Sequence, residues 1–545
     1  MYSQVTATLN DKALERLKEC AEIHRYLHDH SSILNVYGVH IHEDPTISTR
    51  KIFSLLLEKA EGSLRDIIRD KDGPLRQKLL QKMDMRDVIG QVFDGLTYIH
   101  SNKYMDKDRV AHRDIKPENI LVTLQKRDGS YIIKFTDFDS AKQLDKEQMV
   151  EITKDAFTGL YLDPALRAKI EQGEQVLIND YLAHDVYATA LVMYELLGNG
   201  EHLYKIGSKT TFTNMEINDR TNLINAEIDE FAKNLIWTMM QPKIEDRVTM
   251  QEAKKTPFFL SNHDHIQALN ALNEAMIELG DSDKAKAIKD ELNKNFFMVL
   301  DKKWKELPIA IPEILKRSKY YNGLEAYLRY CRNLIFHAGQ HQEVLKQQFG
   351  MLPSEEELFV KMTEDTPGVM IYFYCFAKKH FPQLKFTECI PSQCVKAHEE
   401  LIEAKRLHIG EEMENLRKSV GIGAPEATAA APTSPTAETS STLDDYDAIM
   451  DEFFRTSHKQ IQQIIKKTEV DFKALKVDIK KWEREKNGLE NLIAKLKENA
   501  RPADEVEAMS KELGKVEEKL KAKWFLDYRE HLCDPEKYRT SKQMA

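Results

Sequence analysis

The segment that most constrains this chain is residues 110–122, which read V-A-H-R-D-I-K-P-E-N-I-L-V. Apolar residues of the kind found in β-strands bracket a polar centre. That centre holds three residues able to act on a ligand: Asp114, Lys116 and Asn119. A second strand-like run, I-I-K-F-T at residues 132–136, is followed directly by D-F-D at residues 137–139. The sequence therefore predicts two polar turns, each beside a buried strand.

These two motifs, at this spacing, resemble the catalytic loop and the magnesium-binding loop of protein kinases. The resemblance implies that Asp114 orients a hydroxyl group and takes its proton, while Lys116 balances charge on the transferred phosphoryl group. It also implies that Asn119 and Asp137 bind Mg²⁺, which would accompany ATP or ADP. Residues 52–64 resemble the hinge strand of a kinase, whose backbone near Glu58 and Ala60 would face an adenine ring.

The part of a kinase that covers the phosphates departs from the expected pattern. No G-x-G-x-x-G precedes the first helix, and Thr8 stands where the phosphate-pairing lysine belongs. Glu22, the candidate glutamate of that helix, has no evident lysine partner. Asp139 replaces the glycine of D-F-G, although aspartate pays to enter backbone conformations that glycine adopts freely. We therefore expect either a genuinely reduced small lobe or a chain that is incomplete at its N-terminus, and phosphotransfer stays open.

Residues 260–390 have apolar residues at helical spacing, which predicts a compact helical domain docked directly on the lobe. One helix in it ends with Arg332, Asn333 and His337. Arginine offers a planar fork for a phosphate, and a histidine ordinarily titrates near pH ~6.5, as a proton-shuttling group must. Tyr320 could add a phenol. Such a group suits RNA cleavage by the 2′-hydroxyl, but the same triplet is also typical of a solvated helix end.

A kinase-like lobe that ends in P-F-F and runs into a helical domain with Y…RN…H resembles the kinase–endoribonuclease (KEN) family, which includes ribonuclease L and the unfolded-protein-response sensor kinase/endoribonuclease. The resemblance covers about residues 15–390. It implies that His337 is the general acid/base and that three residues bind phosphate: Tyr320, Arg332 and Asn333. It further implies an RNA substrate, cleavage without a metal, a role in a stress response, and a lobe that senses nucleotide and dimerises.

We therefore expect a multidomain fold of α+β and all-α parts. Its segments are a kinase-like domain (1–259), a KEN-type ribonuclease domain (260–390), a helix with a disordered Ala/Pro/Ser/Thr-rich linker (391–442), and a helical tail (443–533). The apolar residues of the tail step by threes and fours. This pattern predicts either a helical hairpin within one chain or an intermolecular coiled coil, which would favour self-association.

Composition excludes several classes of protein. The formal net charge of −10 argues against a general nucleic-acid binder, so any RNA contact is local. The six cysteines are sparse and suggest reduced thiols, not a disulfide framework or a zinc array. No signal peptide or run of ~18 apolar residues occurs, so we expect a cytoplasmic protein without a membrane span.

Three functions compete. The first is an endoribonuclease built on a nucleotide-binding kinase or pseudokinase lobe. The second is an active serine/threonine kinase, for which the motif residues of both polar turns are present. The third is a non-catalytic scaffold in which the tail does the work. We favour the hypothesis that the protein is an endoribonuclease.

Overall fold

The computed structural model describes only part of the chain, and all of the described residues precede the division between residues 424 and 425. They are residues 2–6, 21–27, 30–43, 51–101, 109–125, 127–138, 142–143, 159–198, 200–206, 209–210, 219–294, 299–300, 304–307, 309–311, 314–315 and 323–419. The predicted linker and tail therefore lie outside the described residues.

The described strands are β1 (Tyr2–Thr6), β2 (Val36–Glu43), β3 (Lys51–Leu57), β4 (Gly62–Ser63), β5 (Val110–Ala111), β6 (Ile120–Leu124), β7 (Tyr131–Phe135), β8 (Lys142–Gln143), β9 (Lys205–Ile206) and β10 (Lys209–Thr210). The helices of the first part are α1 (21–27), α2 (Leu64–Arg69), α3 (Pro74–Leu80), α4 (Met85–Ser101), α5 (Pro164–Glu171), α6 (Ile178–Leu197), α7 (Thr221–Asn225), α8 (Glu230–Met239) and α9 (Met250–Ala253). Those that follow are α10 (Asn262–Glu278), α11 (Asp283–Lys294), α12 (Leu324–Phe336), α13 (Gln342–Phe349), α14 (Glu355–Asp365), α15 (Val369–His380) and α16 (Ser392–Ser419).

A β-hairpin brings the two polar turns together. Strands β6 and β7 are antiparallel, and Ile120 pairs with Phe135 at one end of the ladder. Asn119 precedes the first strand and Thr136 follows the second, so the register places the two turns side by side. The backbone N–H of Thr136 donates to the carbonyl of Asn119 across 3.1 Å. In the small lobe, the described strands form an antiparallel sheet in the order β1-β3-β2.

Two helices support this hairpin from the large lobe. Helix α4 is amphipathic: its buried residues recur at intervals of three and four, as a helix packed on a core requires. Helix α6 is buried along most of its length, and therefore reads as a nearly continuous apolar run. Its polar residues are few, and one of them, Asp185, is completely buried. The apolar faces of both helices join one hydrophobic core.

The segment after the lobe is helical, as the sequence predicts. Helix α10 begins almost directly after Phe259, with Ser261 as its N-cap: the serine side chain accepts from the N–H of Asp264, whose carboxylate accepts in return. The buried apolar residues of this segment belong to the same core as those of the lobe. The N–H of Ile311 and the carbonyl of Ile309 both bond to the hydroxyl of buried Tyr330.

The last described helix, α16, packs back on α8 of the lobe. The carboxylate of Glu400 accepts from Trp237 Nε1 at 3.1 Å and from Gln241 Nε2 at 2.8 Å, and Lys405 pairs with Glu230 at 2.7 Å. Tertiary packing of this kind stabilises a helix more than its own propensity does. Among the described residues, no helix is both long and apolar enough to span a bilayer.

His398 lies inside this α16 interface, and neither of its ring nitrogens has a hydrogen-bond partner among the described residues. Burial lowers the pKa of His398 to about 4. Below pH ~6.5 the unfolded chain therefore binds a proton at His398 that the folded chain does not bind. Because of this difference, the free energy of unfolding falls as the pH drops from ~6.5 towards the folded-state pKa. Each pKa unit corresponds to ~1.4 kcal/mol.

We accordingly expect His398→Leu to flatten the fall in stability between neutral pH and pH ~4.5, because leucine fills a similar volume and takes up no proton. Stability at neutral pH should be unchanged or higher, since an unbonded polar group is removed from the core. Urea unfolding of both proteins at a series of pH values measures this. Equal slopes against pH would contradict the prediction.

Candidate active site

The first predicted site is the turn between β5 and β6, where Asp114 is held from two sides. Lys116 Nζ donates to Asp114 Oδ2 at 2.5 Å, and Asn119 Nδ2 donates to the same oxygen at 2.8 Å. Asn119 Nδ2 also donates to the carbonyl of Asp114 at 2.9 Å. Two donors therefore fix this carboxylate in a partly accessible position.

The second turn places Asp137 next to this group. Its side chain is exposed, and its backbone is left-handed with φ of 63°. Because the amide nitrogen of Asn119 faces Asp114, its amide oxygen is turned elsewhere. A carboxylate and an amide oxygen are the hard donors that Mg²⁺ prefers, so the donor set fits this ion. Asn119 and Asp137 would hold the ion, which would neutralise phosphate charge.

Asp185 of α6 holds the catalytic loop in place. Its carboxylate accepts from the backbone N–H groups of His112 at 2.7 Å and Arg113 at 2.8 Å, and it contacts His100 Nε2 at 3.0 Å. Burial alone would favour the protonated acid, but the hydrogen bond to His100 and the neighbouring imidazoles lower the pKa of Asp185 below its usual range. An ionised Asp185 thus anchors a strained loop in which Arg113 has φ of 70°.

The predicted hinge residues lie directly after β3, and both are partly buried. The side chain of Glu58 is engaged: its carboxylate accepts from Lys134 Nζ at 2.8 Å and from Asn35 Nδ2 at 2.8 Å. The backbone N–H of Glu58 donates to the carbonyl of Asn35 at 2.9 Å. Ala60 follows two residues later. Through Lys134, the predicted hinge is bonded to β7, the strand that precedes the D-F-D motif.

The helix of the small lobe does not use Glu22 as the sequence suggests. The side chain of Glu22 is exposed, whereas His24 is buried, with its ring tilted against that of Phe138 and the ring centres 4.8 Å apart. The ring of His112 also lies 4.8 Å from the ring of Phe138. Aromatic packing therefore joins the helix to the described part of the D-F-D motif. Thr8 and Asp139 lie outside the described residues.

The third predicted site lies where α12 ends in the helical module. Arg332 Nη1 lies 2.8 Å from His337 Nε2 and donates to Asn333 Oδ1 at 3.2 Å. All three side chains are half-buried. Since a guanidinium N–H can only donate, Nε2 of His337 is the accepting nitrogen in this contact. The structure thus brings Arg332, Asn333 and His337 together, while Tyr320 lies outside the described residues.

Two contacts of this cluster were missed by the sequence reasoning. Arg332 Nε donates to Asn270 Oδ1 of α10 at 3.1 Å, and the guanidinium lies 5.7 Å from the centre of the Phe336 ring. Phe336 is four residues from Arg332 on one helix, so helical spacing alone could have found it. Asn270 lies 62 residues away and has no such signal.

Burial sets the reactivity of the cysteines in the described part of the chain. The four that the structure describes are free: Cys331, Cys375, Cys389 and Cys394. Burial raises the pKa of Cys389 and of Cys394 to about 12. A thiol reacts through its thiolate, so these groups are poor nucleophiles.

Comparison with known proteins shows which families this chain resembles. Residues 4–259 match the protein kinase domain family. A kinase/endoribonuclease of Caenorhabditis elegans, ire-1, is 23% identical over 377 residues, which are 67% of this chain and 36% of that protein. The IRE1 protein of Hypocrea jecorina is 26% identical over 364 residues, covering 60% of this chain and 28% of that protein. A probable serine/threonine-protein kinase of Dictyostelium discoideum is 28% identical over 255 residues, 46% of this chain and 44% of that protein.

Residues 4–259 therefore form a protein kinase-like domain, followed by a mostly helical region. The predicted resemblance of the chain to the kinase–endoribonuclease family is confirmed. The chain spans about a third of the length of these two relatives, whose aligned parts are 36% and 28% of them. Protein kinase domains generally bind ATP with Mg²⁺.

Proposed function

We propose that this protein is an endoribonuclease that cleaves single-stranded or loop RNA without a metal, on a kinase-like lobe that binds ATP or ADP with Mg²⁺. The observation that carries the proposal is the 2.8 Å contact between Arg332 Nη1 and His337 Nε2 at the end of α12. It joins a phosphate-binding fork to a proton-transfer group in one half-buried cluster. Asn333 completes that cluster with a side-chain amide.

The cluster can supply what RNA transesterification requires. The 2′-hydroxyl loses its proton, its oxygen bonds to phosphorus, and the bond from phosphorus to the 5′ oxygen breaks as that oxygen gains a proton. His337 carries a proton in this exchange, as general acid–base groups do. Arg332 and Asn333 bind the phosphate and stabilise the charge on its oxygens. Tyr320 would add a fourth contact. The product is a 2′,3′-cyclic phosphate.

The kinase-like lobe would act as a regulator. We propose that nucleotide held near Glu58, Ala60, Asn119 and Asp137 favours a homodimer, and that the tail at residues 443–533 promotes the same association through a coiled coil. The proposal places the protein in the cytoplasm, in a stress response. Two kinase/endoribonuclease relatives support a joint role of the lobe and the helical module.

Cleavage of an RNA hairpin, measured in EDTA across protein concentration, tests this function. We expect cuts in the loop, none in a perfect duplex, and a rate per protein molecule that rises steeply with concentration. In a parallel series with Mg²⁺ and ATP or ADP, the rise in rate should occur at a lower protein concentration. No loop cleavage at any concentration would contradict the proposal.

Protein phosphorylation is the second candidate function, and the fixed geometry of Asp114 favours it. Lys116 and Asn119 both bond to its carboxylate, as a residue that orients a substrate hydroxyl would need. If the lobe is active, Asp114→Asn should abolish Mg²⁺-dependent transfer of labelled γ-phosphate to a generic protein substrate. Asp128→Asn, in the exposed turn between β6 and β7, should leave transfer unchanged. Equal labelling by wild type and Asp114→Asn would exclude this candidate. If neither Asp114→Asn nor any substitution of Arg332, Asn333 or His337 alters turnover, the non-catalytic scaffold is the hypothesis that remains.

A further inference from the structure

Arg332 is held by two helices, not one. Within α12 and the turn after it, Nη1 contacts Asn333 and His337. From α10, Asn270 Oδ1 accepts the Nε–H at 3.1 Å. The guanidinium is planar, so fixing Nε and Nη1 fixes the direction of Nη2 as well.

The amide of Asn270 is itself oriented. Its nitrogen, Nδ2, donates to Glu274 Oε1 at 2.9 Å, one helical turn further along α10. The amide oxygen therefore faces Arg332 and the amide nitrogen faces away. A flipped amide would lose both hydrogen bonds, since it would set N–H against N–H and oxygen against carboxylate.

This arrangement leaves the two N–H groups of Nη2 for a ligand. Among the described residues, the recorded hydrogen bonds of Arg332 use Nε and Nη1, and none uses Nη2. Each N–H of Nη2 can make a charge-assisted hydrogen bond to a phosphate oxygen, and a free arginine side chain loses rotamer entropy when it is fixed. A guanidinium already held in plane loses less of it when phosphate binds.

We propose that Asn270 is a positioning residue that aims Arg332 at the scissile phosphate, so that the nuclease site is shared between α10 and α12. The inference rests on the proposed function. It also links the site to the lobe, because α10 carries His265, whose ring stacks 4.8 Å from that of Phe231 in α8. The phosphate-binding arginine is thereby tied to the helix that joins lobe and module.

A double-mutant cycle with Arg332 tests this role in the full-length protein. Asn270→Leu keeps a similar size but loses the acceptor, so we expect single-turnover cleavage of the RNA hairpin to fall by about 10- to 100-fold, the cost of a misplaced catalytic group. Asn270→Asp keeps the acceptor and should stay within about 5-fold of wild type. In an Arg332→Lys background, which lacks the Nε–H, Asn270→Leu should cost no more than about 2-fold, since contacting residues are not additive.

Gln267→Leu, on an exposed position of the same helix, serves as the matched control and should not change cleavage. Thermal unfolding of each variant separates loss of the fold from loss of positioning. The inference would be overturned if Asn270→Leu cleaved at the wild-type rate. It would also be overturned if Asn270→Leu lowered the cleavage rate by the same factor in the wild-type and Arg332→Lys backgrounds. If Arg332→Lys also cleaves like wild type, the proposed function itself fails; if only Arg332→Lys is impaired, the proposed function stands and the role of Asn270 falls.

Discussion

Replacing His337 by alanine should lower the rate of RNA cleavage by about 10²- to 10⁴-fold, the usual contribution of a positioned general acid or base. The loss should appear in kcat, because the imidazole moves a proton during the reaction and adds little to binding of the ground state. Binding of a hairpin with deoxyribose at every position, which cannot be cleaved, should change by less than about 3-fold, as expected for a group that acts mainly in the transition state. Single-turnover kinetics and fluorescence anisotropy measure the two quantities.

His263→Ala is the control for this experiment. His263 is exposed near the start of α10, in the same module, so its loss tests whether any histidine-to-alanine change impairs cleavage. We expect wild-type rates from it. A His337→Ala protein that cleaves within about 3-fold of wild type would remove the residue from the mechanism, because a general acid–base group contributes far more.

Loss of the carboxylate of Asp163 should destabilise the kinase-like lobe by about 3–5 kcal/mol, the range for breaking a buried ion pair from one side. Arg247 donates to both of its oxygens, at 2.5 Å and 2.9 Å, and the two side chains are 2% exposed or less. Asp163→Ala leaves a buried guanidinium without its counter-ion. It also removes the N-cap of α5, where the carboxylate accepts from the N–H of Ala165.

Urea unfolding followed by tryptophan fluorescence measures this change. Glu171→Ala is the comparison, because it breaks the exposed Arg167–Glu171 pair within α5, which is worth about 0.3–0.5 kcal/mol. A midpoint shift for Asp163→Ala no larger than that for Glu171→Ala would show that the buried pair does not hold the lobe together.

The same pair shows where sequence reasoning stops. The local sequence D-P-A at residues 163–165 gives no sign of this pair, in which Asp163 supplies the buried anion. Its partner lies 84 residues away, and no local pattern records a contact of that range. The two polar turns, in contrast, could be predicted from the sequence alone, because each motif is contiguous and lies beside its own strand.

The helical site divides in the same way. Arg332, Asn333 and His337 lie within six residues at a helix end, so the sequence could predict that they approach one another. Asn270 reaches the same guanidinium from another helix, and only the packing of α10 on α12 reveals it. The sequence likewise does not show which face of α1 turns inward: Glu22 is exposed, whereas His24 is buried. The linker and the tail stay predictions.

The chemistry of the RNA ends is the most direct test of the nuclease function. RNA hairpins are incubated with the full-length protein in EDTA, and the 3′ ends of the fragments are identified by mass spectrometry. The proposed mechanism predicts 2′,3′-cyclic phosphate ends that disappear with His337→Ala. A 3′-hydroxyl at the new 3′ end of the 5′ fragment, or cyclic phosphate formed equally by the His337→Ala protein, would contradict it.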